Sequence, residues 1–275
     1  MSKPVEIICV GNELLIGKVL NTNAHWLAKR ITSLGLEVRR ITTVRDEVEE
    51  ISHAVQETMK RKPKFVITTG GLGPTFDDKT LKGVAEAFNC KLKVHSEALE
   101  MVKERYRAYV KQGIIEKFEL TSPREKMAKL PENSVPFFNP VGTAPGVMIK
   151  QKDTTLIALP GVPSEMKETF ERSVAPLLKQ AAEGMMFFEA GIYARCVGES
   201  EIAPLIERVM HDNPCVYVKS HPKGGEKISR IEFHFSTTAK HSEVARQRVS
   251  RALTQLSEMI REKGGKIKPM KTKSW

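Results

Sequence analysis

Phe65-Val66-Ile67-Thr68-Thr69-Gly70-Gly71-Leu72-Gly73-Pro74-Thr75-Phe76-Asp77-Asp78 is the stretch whose reading decides the fold. Its first five residues are uncharged and mostly β-branched, as a buried strand requires. Glycines end the run. Helical spacing then begins near Lys79, with Leu81, Val84, Ala85 and Phe88 on one face. In open α/β sheets, ligands bind outside the carboxyl ends of such strands. Gly70, Gly71 and Gly73 let backbone amides approach a phosphate, and Thr69 and Thr75 add hydroxyls. Asp77 and Asp78 can hold a hard divalent cation through oxygen. The bland alternative is a glycine-rich turn with an N-capping aspartate.

Toward the N-terminus the same rhythm continues. Residues 5–10 read as a buried strand stopped by Gly11. Gly11-Asn12-Glu13 would then share the sheet edge, with Glu13 a metal ligand, a general base or a solvated loop acid. Asn21-Thr22-Asn23 opens a helix whose inward residues are Ala24, Leu27, Ala28, Ile31 and Leu34, with Asn23 as its cap and Gly35 as its stop. Residues 36–43 read as a strand and 47–61 as a helix. Asp46, between them, is either a site carboxylate or that helix's N-cap. Strand–helix alternation predicts right-handed crossovers and a mainly parallel sheet.

Toward the C-terminus, residues 97–111 look helical, and proline and asparagine make 121–145 read as loop. Asn139-Pro140-Val141-Gly142-Thr143-Ala144-Pro145-Gly146 is too rigid for a casual linker, and Thr143 is placed against a ribose or phosphate. Strands at 147–150 and 154–159 precede Gly161-Val162-Pro163-Ser164, which opens a helix running to about residue 180. That helix start would attract an anion, or be capped by Ser164. The rhythm changes near residue 183. Strand (187–197), helix (199–211), strands (215–219, 228–235) and helix (242–263) give a small α+β pattern. The domains are thus expected at 1–183 and 184–265, with a frayed basic tail at 266–275.

Bulk properties fit a globular protein: 275 residues, 40% hydrophobic and 28% charged. No apolar run reaches the ~18 residues of a membrane span, and the first residues read as a strand rather than a signal peptide. We therefore expect a cytoplasmic protein without membrane partners. Cys9, Cys90, Cys196 and Cys215 form no C-x-x-C pair and read as reduced, buried thiols. The net charge of +11 suits anionic ligands, or simply a lysine-rich surface. Residues 11–18 imitate a P-loop, but Gly17 comes late and Val19 replaces the magnesium-binding hydroxyl. There is no G-x-S-x-G elbow, and the histidines lack metal spacing.

These motifs together resemble the CinA family and, more distantly, the MogA and MoaB molybdopterin-handling enzymes. The resemblance rests on residues 10–15, 21–24, 70–78, 139–146 and 159–166. It implies a three-layer α/β/α domain with a mainly parallel sheet of MoaB/MogA type, followed by a small α+β KH-like domain and a homodimeric assembly. Asn12 departs from the family's usual threonine, and the chain stops where many bacterial members continue into a deamidase domain, so that activity is not expected.

The resemblance also implies metal-dependent hydrolysis of ADP-ribose to AMP and ribose phosphate. A divalent ion (Mg, Mn, Co or Ni) would be the cofactor, with a monovalent cation allowed beside it. Asp46 and Asp78 match the family's functional aspartates by position. Glu13 joins them as a candidate catalytic acid, and Asp77 and Asp78 as metal ligands. Gly11, Asn12, Asn21, Asn23, Thr69, Gly70, Gly71, Gly73, Pro74, Thr75, Thr143, Gly161, Pro163 and Ser164 form the candidate surface for a phosphorylated small molecule. The alternatives are pterin binding with nucleotidyl transfer on the same surface, and nucleic-acid binding. The last is disfavoured because the second domain lacks a G-x-x-G loop.

Overall fold

The computed structural model describes residues 3–196, 199–223 and 229–270, with side chains for all of these except 196, 199, 200 and 229. The chain divides into two compact units. The first holds residues up to 31 together with 36–181, and the second holds 32–35 together with those from 182 onward.

In the first unit, β1 (Pro4–Val10) runs into a single short turn of helix, α1 (Asn12–Leu15). β1 lies between β2 (Glu37–Val44) and β3 (Phe65–Thr69), parallel to both. The uncharged Phe65–Thr69 strand is buried along its whole length, as its composition requires. β8 (Thr154–Leu159) pairs parallel with β3. β7 (Gly146–Gln151) and β6 (Val135–Phe137) complete the other edge antiparallel, giving the order β2-β1-β3-β8-β7-β6. The mainly parallel sheet is therefore as expected. The chain passes from β1 outward to β2 and then back across to β3, so the direction of winding reverses between β1 and β3. That reversal is where open sheets leave a crevice.

Helices cover the sheet as strand alternation demands. Ile8, Val10 and Val66 join one core with residues of α3 (Val48–Lys60), α4 (Thr80–Ala87) and α5 (Ser96–Lys111). Ile7, Cys9 and Ile67 alternate with them, are equally buried, and so belong to the opposite face. α2 (Thr22–Ser33) brings Leu27 and Ile31 inward, and Trp26 meets Phe170 edge-on at 5.3 Å. Each such buried side chain stabilises the fold by roughly 1.5–3 kcal/mol.

Several local expectations need correction. Residues 121–145 are not continuous loop: α6 (Ser122–Lys126), β5 (Lys129–Pro131) and β6 lie there, and β5 pairs with β4 (Leu92–Val94). Elements of three to five residues are too short for a side-chain period to be recognised. The long helix before the boundary is also interrupted. α7 (Pro163–Thr169) passes through a π-helical turn (Phe170–Val174) into α8 (Ala175–Ala181).

The second unit is an antiparallel sheet with two helices. β9 (Met186–Cys196), α9 (Glu199–Asp212), β10 (Tyr217–Lys223), β11 (Ser229–Ala239), α10 (Ser242–Glu262) and β12 (Lys266–Pro269) follow in sequence. The strands lie in the order β10-β11-β9-β12. Ile231, Phe233 and Phe235, alternating along β11, pack with Val249, Ala252, Leu256 and Ile260, which recur at helical spacing on α10. The expected basic tail is thus partly wrong: residues 266–269 pair with β9, and Ile267 packs against this core between its two lysines. The expected strand ends at Val197 and Ile228 lie outside the described residues. Of the cysteines, Cys9 is buried but Cys215 is exposed, so the uniform buried reading fails there.

Candidate functional site

A cavity of about 260 Å³ opens at the carboxyl ends of the parallel strands. Glu13, Asn21, Asn23, Asp46, Thr69, Gly70, Gly71, Asp77, Asp78, Gly161 and Pro163, all expected from the sequence, line it. Gly11 and Asn12 adjoin the wall residues Val10 and Glu13 in the chain, and Gly73, Pro74 and Thr75 lie between Gly71 and Asp77.

Backbone contacts fix the geometry. Gly11 N–H donates to Val44 O at 3.1 Å, and Asn12 N–H donates to the Asp46 carboxylate at 2.7 Å. The turn after β1 is thereby tied to the turn after β2. Asp46 is not the N-cap of α3, because its carboxylate is engaged with Asn12; Glu47 holds the cap position without a side-chain bond. Nor does Asn23 cap α2. The Asn21 side chain accepts from Ala24 N–H at 3.0 Å, which frees Asn23 to bridge Thr69 Oγ1 (3.1 Å) and Gly161 O (2.8 Å). Asn23 Oδ1 is buried and has no partner among the described residues. A stranded acceptor of this kind costs about 1–3 kcal/mol unless a ligand donor reaches it.

The glycine loop needs its glycines for space. A Cβ on Gly70, at φ 104°, would stand 2.2 Å from Val10 O, and Gly71 has φ 66°. Gly70 N–H is not free for a ligand, since it donates to Leu159 O at 3.1 Å. The amides of Gly71, Leu72 and Gly73 have no acceptor among the described residues. The loop's far side is pinned: Thr80 Oγ1 donates to Gly70 O at 2.7 Å, and Lys126 Nζ donates to Gly73 O at 3.1 Å and to Thr75 O. Nothing in the sequence singles out Lys126, because it lies in a segment without readable periodicity.

The acids divide by environment. Partial burial raises the Asp46 carboxyl above its ordinary value; the Asn12 amide opposes this, while Glu13, Asp77 and Asp78 add to it. Asp77 is lowered, first by the Thr75 hydroxyl and then by its own backbone amide. Asp78 accepts from Thr75 N–H at 2.8 Å and lies 2.6 Å from the Thr75 hydroxyl, whose single proton serves Asp77 or Asp78 in turn. Burial lowers the Lys126 ammonium, and the Asp78 and Asp77 charges oppose that shift.

Besides Gly11, Asn12, Gly73, Pro74 and Thr75, two more expected residues, Thr143 and Ser164, fall outside the cavity wall. The Thr143 hydroxyl is directed to Met127 Sδ at 3.6 Å. Ser164 does not cap its helix, because Val162 holds the cap position and Pro163 begins a helix of only seven residues. The donor set of Glu13, Asp46, Asp77 and Asp78 is all carboxylate oxygen, which suits a hard cation. Among the described residues, no three His, Cys, Asp or Glu side chains are grouped so as to hold a metal alone. The residues therefore fit an ion that takes one or two carboxylates and completes its shell with phosphate and water. No described helix is long and apolar enough to cross a membrane.

Residues 6–180 match the family described as "Probable molybdopterin binding domain". A protein of Pyrobaculum arsenaticum is 45% identical over 260 residues, covering 94% of this chain and 95% of the relative. One from Aeropyrum pernix is 46% identical over 263 residues, covering 95% of each. The crystal structure of CinA from Thermoplasma acidophilum, a protein described as of unknown function, superposes with a TM-score of 0.57 at 38% identity, covering 62% of this chain and 95% of that one. The sheet order, the crevice and these relatives agree, and the chain belongs to the CinA family, with a domain of the MoaB/MogA molybdopterin-binding type.

Proposed function

We propose that the cavity binds a phosphorylated pterin or nucleotide and supports nucleotidyl transfer between the two. One observation carries this reading: the amides of Gly71, Leu72 and Gly73 lack acceptors among the described residues, beside a cavity lined by Glu13, Asp46, Asp77 and Asp78. Free amides call for an anion, whereas crowded carboxylates repel one. A phosphate accompanied by a divalent cation reconciles the two demands. When bound, the cation would neutralise charge developing on the phosphoryl oxygens. Asp78, with Asp77 or Glu13, would hold it. The loop amides would orient the phosphate. In the transfer, an oxygen of the pterin phosphate bonds to the α-phosphorus of a nucleoside triphosphate, and pyrophosphate leaves.

Calorimetric titration with ATP and with a pterin phosphate, with and without Mg²⁺, tests this. Metal-dependent binding that is lost in Asp78→Asn supports the reading; no binding of either compound overturns it.

A second reading, hydrolysis of a pyrophosphate such as ADP-ribose, is favoured by Asp46. A carboxylate with raised proton affinity is suited to accept a proton from water as the water oxygen attacks phosphorus. Formation of AMP and ribose phosphate from ADP-ribose and metal, with no pterin present, would select this reading.

A further inference from the structure

We infer that Phe76 is the platform on which the ligand's planar heteroaromatic ring stacks, so that the site selects ring-bearing phosphates over bare ones. This deepens the phosphate-site reading above and rests on it.

Phe76 is 88% exposed, although a phenylalanine gains roughly 1.5–3 kcal/mol from burial. The turn on which it stands is held by hydrogen bonds. Thr75 N–H is bound to Asp78, Thr75 O and Gly73 O accept from Lys126, and Thr80 holds Gly70 O. The ring stands exposed on that pinned turn. Asp77, the next residue, lines the cavity. Another wall segment repeats the pattern, since Val19 and Leu20 line the cavity while Leu20 is 84% exposed. The loops that build the cavity thus carry bare apolar side chains, Leu20 on its wall and Phe76 one residue from Asp77. Phosphate alone gives those side chains nothing to cover them, whereas a flat nitrogen heterocycle does. Purines and pterins share that chemistry.

The test compares wild type with Phe76→Ala, Phe76→Leu and Phe76→Trp, each titrated with Mg²⁺ and ATP, a pterin phosphate or inorganic triphosphate. Base–aromatic stacking predicts that Phe76→Ala weakens the ring-bearing ligand about tenfold, leaves inorganic triphosphate unchanged, and is matched by Phe76→Leu but rescued by Phe76→Trp. Comparing the ATP and pterin arms identifies which ring is taken. Equal affinity of wild type and Phe76→Ala for both ring-bearing ligands overturns the inference. So does an equal loss for triphosphate, full affinity in Phe76→Leu, or a fall in molecular mass by light scattering that assigns the ring to self-association. Failure of wild type to bind even triphosphate brings down the phosphate-site reading, and this inference falls with it.

Discussion

Residues 70–78 and 139–146 are both punctuated by glycine and proline, and both follow or precede strands of the same sheet. Their backbones have opposite fates. In the second segment, buried Asn139 accepts from Val141 N–H (3.1 Å) and Gly142 N–H (2.8 Å) and donates to Ala144 O (2.9 Å) and Glu165 (2.7 Å). Arg105 takes Gly142 O at 2.8 Å and Val141 O at 2.5 Å. The polar groups of that loop are consumed by the protein itself. In residues 70–78 the outer face is pinned in the same manner, yet the amides of Gly71, Leu72 and Gly73 are left bare of described partners. A loop whose hydrogen bonds close on themselves is architecture; a loop that is rigid and still unsatisfied is poised for a ligand.

Substitutions can break that distinction. The largest effect is expected for Asn139→Ala. It removes four hydrogen bonds at a site only 2% exposed, and about 3 kcal/mol of stability should be lost in urea unfolding. Affinity for Mg–ATP should not change, and a parallel loss of affinity would erase the contrast. Asp78→Asn should behave oppositely. The amide oxygen can still accept from Thr75 N–H, so stability should shift by less than about 1 kcal/mol, while Mg–ATP affinity falls at least about tenfold. Lys126→Met tests the pinned side of the loop. Loss of its bonds to Gly73 O and Thr75 O should cost about 1–1.5 kcal/mol, with a smaller drop in affinity than Asp78→Asn.

Asp46→Asn should have the smallest effect and the opposite sign in stability. The folded-state pKa of Asp46 is raised, so between the ordinary value of 3.8 and that raised value the folded protein binds more protons than the unfolded chain. The contribution of Asp46 to stability therefore declines as pH rises through that window and stays reduced above it. Thermal melts should show Asp46→Asn slightly more stable at pH 7, with the difference vanishing below pH 3.8. A destabilised variant at pH 7 would mean that the charge-assisted bond to Asn12 outweighs repulsion from Glu13, Asp77 and Asp78.

Much of the site was legible because strand ends are legible. The buried runs ending at Val10 and Thr69 announce where the chain must turn, and in a parallel sheet those turns converge. What failed was assignment among neighbours. Asn21 and Asn23 are equally good caps by composition, and only the path of the chain leaves Asn21 facing Ala24 N–H and Asn23 facing Thr69. Asp46 satisfies every local rule for an N-cap, yet the nearer donor comes from Asn12, 34 residues away. Thr143 sits in a segment that looks like a ligand loop, but that segment's polar groups turn inward. Lys126 lies in a five-residue helix whose pattern is too short to read.

By itself, then, the sequence determined the longer strands and helices, the mainly parallel sheet and the edge where chemistry can occur. Those follow from side-chain periodicity and from backbone limits at glycine and proline, both of them local. Tertiary structure alone decided which polar groups are spent on one another and which, among the described residues, remain without a partner: Gly70 N–H satisfied but Gly71 N–H bare, Asn23 Nδ2 bound but Oδ1 stranded. Hydrogen-bond partners separated by tens of residues are set by how the strands stack, and no local pattern carries that information.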